Sequence, residues 1–136
     1  MRFGDAEIPE DLSYTKNHLW VNMKDHPYTL GWTDYIQINA GDVNHIHLPE
    51  KETLLNVREE FGSVETSKWV DRPYSPLKGR VVEVNNRLFK KPELINDAPF
   101  GEGWFIAVAP SEKGESQGLI TPEEYREYLK VCEKAE

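Results

Sequence analysis

The chain has 136 residues, 38% of them hydrophobic and 29% charged, with a net charge of −8. This length suits one domain with a buried core, and an aromatic share of 11% argues against disorder. The acidity excludes nucleic acid as a partner, because phosphates call for a basic surface. No run is apolar enough for a membrane span, and Met1 to Glu10, with Asp5, Glu7 and Glu10, lacks the apolar stretch of a secretory signal. No membrane association and a cytoplasmic setting are therefore expected, and the single cysteine, Cys132, rules out an internal disulfide.

His18 to Met23 and Tyr28 to Trp32 read as strands, parted by the turn-rich Lys24-Asp25-His26-Pro27. Thr33 is placed to cap a short helix over Asp34 to Ala40, which Gly41 ends. Val43 to Leu48 is a further strand, closed by Pro49. Leu54 to Phe61 leads into a hairpin with Lys68 on its polar tip and Val81 to Val84 as the return strand. Pro92 to Ile95 reads as a helical turn, Trp104 to Val108 as a late strand, and Pro110 to Gly118 as a polar loop. Thr121-Pro122-Glu123-Glu124 starts a helix, and Tyr125, Tyr128, Leu129 and Cys132 then recur at helical spacing. The pattern is that of one mainly β domain over residues 1–136. It predicts a sandwich or flattened barrel with small edge helices, a core over about 12–110, and a C-terminal helix over about 121–133.

Lys68 is the residue whose place suggests chemistry. On a hairpin tip its amine faces solvent and can be acylated without disturbing the core, although most exposed lysines do nothing specific. His45 and His47 share one face of a strand, but no third ligand follows at metal-binding spacing, so no metal is expected. No nucleophile, base and orienting group can be assembled, so the chain is not expected to be an enzyme. An unmodified β-barrel interaction module remains a reading from these residues.

The stretch Gly62-Ser63-Val64-Glu65-Thr66-Ser67-Lys68-Trp69, with Pro76 and Gly79 in register, resembles the lipoyl-attachment site of the glycine cleavage H-protein family. There a Gly-x-Val-Glu-Ser-Val-Lys-Ala stretch presents the modified lysine. Tyr14-Thr15-Lys16-Asn17-His18-Leu19-Trp20-Val21 is similar to the family's Tyr-Thr-x-x-His-Glu-Trp-Val, and Gly31-Trp32-Thr33-Asp34-Tyr35-Ile36-Gln37 to Gly-Ile-Thr-Asp-Tyr-Ala-Gln. Gly41-Asp42-Val43 with Leu48-Pro49, Pro92-Glu93-Leu94-Ile95-Asn96 and Gly101-Glu102-Gly103-Trp104 follow in the family's order.

The resemblance implies a lipoyl-domain-like barrel of two antiparallel sheets with a helix added. It implies lipoate joined by an amide to Lys68, with Glu65 read by the modifying enzyme. That enzyme would be a lipoate ligase, or an octanoyltransferase followed by a lipoyl synthase. The partners implied are glycine decarboxylase, aminomethyltransferase and dihydrolipoyl dehydrogenase, between which the arm shuttles an aminomethyl group. His18, Leu19 and Arg72 are then expected to line the cleft that receives the arm.

Leu19 stands where the family has glutamate, and Arg72 where it commonly has a second acid. Both changes remove negative charge from the expected cleft. They open an alternative: an H-like lipoate-binding protein that serves a heterodisulfide-reductase-like complex and carries sulfur. The other possibility is that Asp71 replaces the lost acid after a small loop shift. Ser67 and Trp69 also depart from the family's Val and Ala, and the tryptophan either packs over the hairpin or meets a partner.

Overall fold

A computed structural model describes residues 1–134. The chain opens with a small hairpin, β1 (Arg2–Phe3) and β2 (Ala6–Glu7), and continues with β3 (Ser13–Tyr14), β4 (Leu19–Asn22) and β5 (Tyr28–Trp32). Helix α1 (Asp34–Ala40) begins as expected, with Thr33 Oγ1 accepting from the Ile36 N–H at 3.4 Å and Gly41 closing the end. Next come β6 (Val43–His47), β7 (Leu54–Leu55), β8 (Ser63–Thr66), β9 (Val70–Asp71) and β10 (Gly79–Val84). A 3-10 turn (Asn86–Phe89), α2 (Leu94–Asp97), β11 (Ile106–Pro110) and α3 (Pro122–Lys134) complete the order.

Two antiparallel sheets form the body, as the pattern predicted. One has six strands in the order β3-β4-β5-β11-β10-β7, and the other has three in the order β6-β8-β9. The hairpin β1-β2 is a third small sheet that the sequence did not disclose. Its strands are two residues long, too short to carry a period.

The return strand of the lysine hairpin differs from the expectation. The partner of β8 is β9, with Val64 opposite Asp71 and Glu65 opposite Val70. Val81 to Val84 belongs instead to β10, which pairs with β11 in the larger sheet. Pro73 and Pro76 explain the break, since neither has an N–H to continue a ladder.

The body has two cores. Leu19, Val21, Leu30, Trp32, Val64 and Val108 belong to the first. Tyr14, Trp20, Tyr35, Tyr125 and Leu129 form the second, together with Ala6 and Ile8. Strand β4 feeds both: Leu19 and Val21 enter the first core and Trp20 enters the second. Its unbroken apolar run is therefore that of a strand covered on both faces. Ala6 and Ile8 are 2% and 1% exposed, so the buried part of the chain starts well before residue 12.

Helix α3 closes the second core. Its start is a reciprocal cap: the Glu124 N–H donates to Thr121 Oγ1 at 3.1 Å, and the Thr121 N–H donates to Glu124 Oε1 at 2.9 Å. The Tyr125 ring stacks on Tyr14, with centroids 4.8 Å apart. Two backbones meet so closely at Gly62 that an added Cβ would lie 2.1 Å from the His47 carbonyl oxygen. Only glycine fits there, and it brings the root of β8 tight against β6.

Candidate functional site

The tip between β8 and β9 is Ser67-Lys68-Trp69, and all three residues are exposed. Thr66 shapes it. The Thr66 N–H donates to the Trp69 carbonyl at 3.0 Å, and the Thr66 hydroxyl accepts from the Lys68 and Trp69 N–H groups, each at 3.2 Å. The same hydroxyl donates to the Trp69 carbonyl at 3.2 Å. A side-chain oxygen thus stands in for a backbone carbonyl in closing the turn.

The Lys68 side chain lies back toward α1, where its Nζ donates to the Asn39 carbonyl at 2.9 Å. That carbonyl is near the end of the helix, where oxygens lack intrahelical partners and favour a cation. The lysine stem runs beside the helix end: a Cβ added at Gly41 would lie 3.9 Å from Lys68 Cε, an ordinary van der Waals distance. Among the described residues no carboxylate pairs with Lys68.

Val64 is fully buried, so Glu65 faces outward and is half-buried beside His45 and Val70, its cross-strand neighbours. His45 and His47 are both exposed. No group of three or more His, Cys, Asp or Glu side chains among the described residues is arranged to hold a metal. Trp69 is 40% exposed and Val70 50%, so the indole and its neighbour leave apolar surface open beside the lysine.

The residues expected to line an arm cleft fall in three different places. Leu19 is 0% exposed and belongs to the first core, so it lines no cleft. Its strand is covered on both faces, which leaves it no open side.

His18 lies under α3. Its Nδ1 is 2.9 Å from the Tyr125 hydroxyl, which is also 2.7 Å from Thr33 Oγ1, and its ring is flanked by Tyr35, Tyr125 and Tyr128. Burial pulls the imidazole down to about 4. His18 has φ 67, a left-handed backbone held by bonds from the His18 N–H to the Thr15 carbonyl and from the Thr33 N–H to the His18 carbonyl. It is a packing residue and not a cleft residue.

Arg72 alone is at the surface. Asp71 does not replace a surface acid: its Oδ2 accepts from Trp32 Nε1 at 3.0 Å, and burial pushes its carboxyl upward. That bond pins the end of the hairpin to β5. A cavity of about 390 Å³ does lie beside this region, lined by Thr15, Asn17, Arg58, Tyr74 and Gln117 among others, but none of the three expected residues lines it.

Sequence reasoning missed Thr66 and Asn39. A threonine three residues before the turn's end is the sequence mark of a hydroxyl-closed turn, so Thr66 was open to discovery. Asn39 was not, because its contact is made by the main chain across 29 residues.

Two antiparallel sheets with an exposed lysine at the tip of a short hairpin define the class: a small β-barrel with a solvent-facing amine on a braced turn. Comparison with known proteins makes the class specific. The family described as glycine cleavage H-protein matches residues 12–132. A glycine cleavage system H protein from Rubrobacter xylanophilus is 43% identical over 124 residues, covering 91% of this chain and 96% of that protein. A probable glycine cleavage system H protein from Haloarcula marismortui is 39% identical over 123 residues, covering 90% and 97%. The crystal structure of a glycine cleavage system H protein from Mycobacterium marinum superposes with a TM-score of 0.84 at 31% identity, covering 90% of this chain and 99% of that one.

The chain belongs to the glycine cleavage H-protein family, and its fold is the lipoyl-domain-like barrel. The family is one of lipoate-carrying proteins, a carrier component and not a catalyst.

Proposed function

We propose that this chain is the lipoyl carrier of a cytoplasmic glycine cleavage system and is not itself an enzyme. Lys68 carries lipoate through an amide on Nζ. The arm moves an aminomethyl group between glycine decarboxylase, aminomethyltransferase and dihydrolipoyl dehydrogenase. A lipoate ligase, or an octanoyltransferase with a lipoyl synthase, installs the group. When bound, the dithiolane supplies the thiol chemistry that takes up and releases the cargo.

The observation that carries this reading is the setting of Lys68. Its amine is exposed, has no carboxylate partner among the described residues, and touches one carbonyl, Asn39 O at 2.9 Å. Acylation removes the positive charge but leaves an N–H, so the residues present fit an amide. Asp71 and Trp32 hold the hairpin, Thr66 holds its tip, and Glu65 offers the attaching enzyme an outward carboxylate. The chain binds, aims and tethers, and the tether raises the effective concentration of the arm at each docked partner.

The test is intact mass and peptide mapping after incubation with lipoate, ATP and a lipoate ligase. One lipoyl group is expected, on the peptide holding Lys68, and none in Lys68→Arg. Labelling that persists in the variant would falsify the assignment.

A second reading has Arg72 and Asp71 in its favour. Arg72 is an exposed cation, and the acid before it in the chain, Asp71, is turned toward Trp32, which suits a neutral or anionic cargo such as sulfur passed from a heterodisulfide-reductase-like complex. Loss of Leu19 from the surface removes half of the original argument for it. Lipoylated protein that fails to support glycine decarboxylation with the decarboxylase partner, yet gains sulfur mass with such a complex, would select this reading.

A further inference from the structure

We propose that Thr66 is the positioning residue of the modification site, its hydroxyl fixing the main chain of Lys68 for the attaching enzyme. The proposal rests on the reading that Lys68 is acylated. Nothing buries the tip: Ser67, Lys68 and Trp69 are all exposed, and β9 beyond them has only two residues. Burial therefore cannot hold the lysine in one place. Thr66 Oγ1 makes three contacts there, accepting from Lys68 N and Trp69 N and donating to Trp69 O, each at 3.2 Å. With these its hydrogen-bonding capacity is used in full.

The other contact of the lysine cannot play this part. Nζ donates to Asn39 O, but Nζ, once it has lost a proton, is the atom that must attack the acyl adenylate made from lipoate and ATP, forming the amide and releasing AMP, so that contact is given up as the reaction begins. The Thr66 contacts are to main-chain atoms, two N–H groups and one carbonyl, and survive acylation. Thr66 thus acts through the backbone of Lys68, and touches neither acyl group nor amine.

The experiment compares initial rates of Lys68 lipoylation by a lipoate ligase in the unaltered chain, Thr66→Val, Thr66→Ala and Thr66→Ser. Backbone amide exchange at Lys68 and Trp69 is measured on each. Thr66→Val keeps shape and loses the hydroxyl, so kcat/KM is expected to fall by about tenfold or more. Thr66→Ala removes the β-branch as well and shows the same fall. Thr66→Ser keeps the hydroxyl and restores the rate. Amide exchange at Lys68 and Trp69 rises in the Val and Ala variants only, while the thermal midpoint of each stays within about 4 °C of the original. Equal labelling of Thr66→Val and the unaltered chain overturns the proposal, as does amide exchange unmoved by loss of the hydroxyl. If the unaltered chain takes no label, the carrier reading falls first; if it is labelled normally and only the Thr66 effect is missing, the carrier reading stands alone.

Discussion

Leu19 marks the difference between a position and an environment. The resemblance places it where the family carries glutamate, but here its side chain is enclosed between Trp32, its partner across the β4–β5 ladder, and the rest of the first core. Restoring the acid would not rebuild a charged cleft. Leu19→Glu is expected to destabilise the fold by about 3–5 kcal/mol, because the carboxylate would have no buried partner. A urea titration followed by circular dichroism measures this; a variant as stable as the original would mean that the position opens to solvent. At the same scale, Lys68, Glu65 and Arg72 were legible as surface residues because their sequence surroundings are polar. His18 was not, since the side chains that enclose it come from α1 and α3, remote in sequence.

Helix α3 is held to the barrel by a clasp in which His18, Thr33 and Tyr125 meet. This makes its docking sensitive to acid. The imidazole is lowered from 6.5 to about 4 by burial, so the folded chain keeps it neutral where the unfolded chain takes a proton. The contribution of neutral His18 to stability is therefore fully present above about pH 6.5, declines as pH falls toward 4, and declines no further below that. Of the tyrosines that face the ring, Tyr35, Tyr125 and Tyr128, the last two are raised by burial, away from this window. The full loss is on the order of 3 kcal/mol. About 2 kcal/mol of this is lost by pH 5, so urea midpoints measured at pH 7.5 and pH 5 should differ by the equivalent of that amount, with His18→Asn removing most of the slope. A midpoint that does not move with pH would show that the ring is solvated.

Across the molecule, what could be read from sequence was local. Thr33, Asp34 to Ala40 and Gly41 form a helix with its own start and stop signals, and its bounds appear as expected. Thr121 and Pro122 announce α3 in the same way. Strand pairing was not legible, because nothing in Val81 to Val84 says whether it returns to Thr66 or joins Ile106 to Pro110. That choice is made by the prolines between, and by the pairing of β10 with β11 on one side and β7 on the other. The spacing of short strands pointed to a sandwich or flattened barrel, and the family's ordered blocks, which carry the long-range pairing that periodicity lacks, narrowed it to the lipoyl-domain type.

The Tyr125 clasp also sets an order of events in time. Its hydroxyl meets groups 107 and 92 residues earlier in the chain, and Tyr35 reaches Glu133 across 98. Such closures wait on wide loops, so refolding from urea is expected in milliseconds to seconds, as for other barrels rich in distant contacts. Stopped-flow tryptophan fluorescence checks this, and complete recovery within microseconds would contradict it. On the ribosome the consequence is sharper. Helix α1, against whose end the Lys68 amine rests, is braced by residues of α3. The platform beneath the lysine is therefore finished only after α3 has emerged, and until then a nascent chain carries the hairpin without its support.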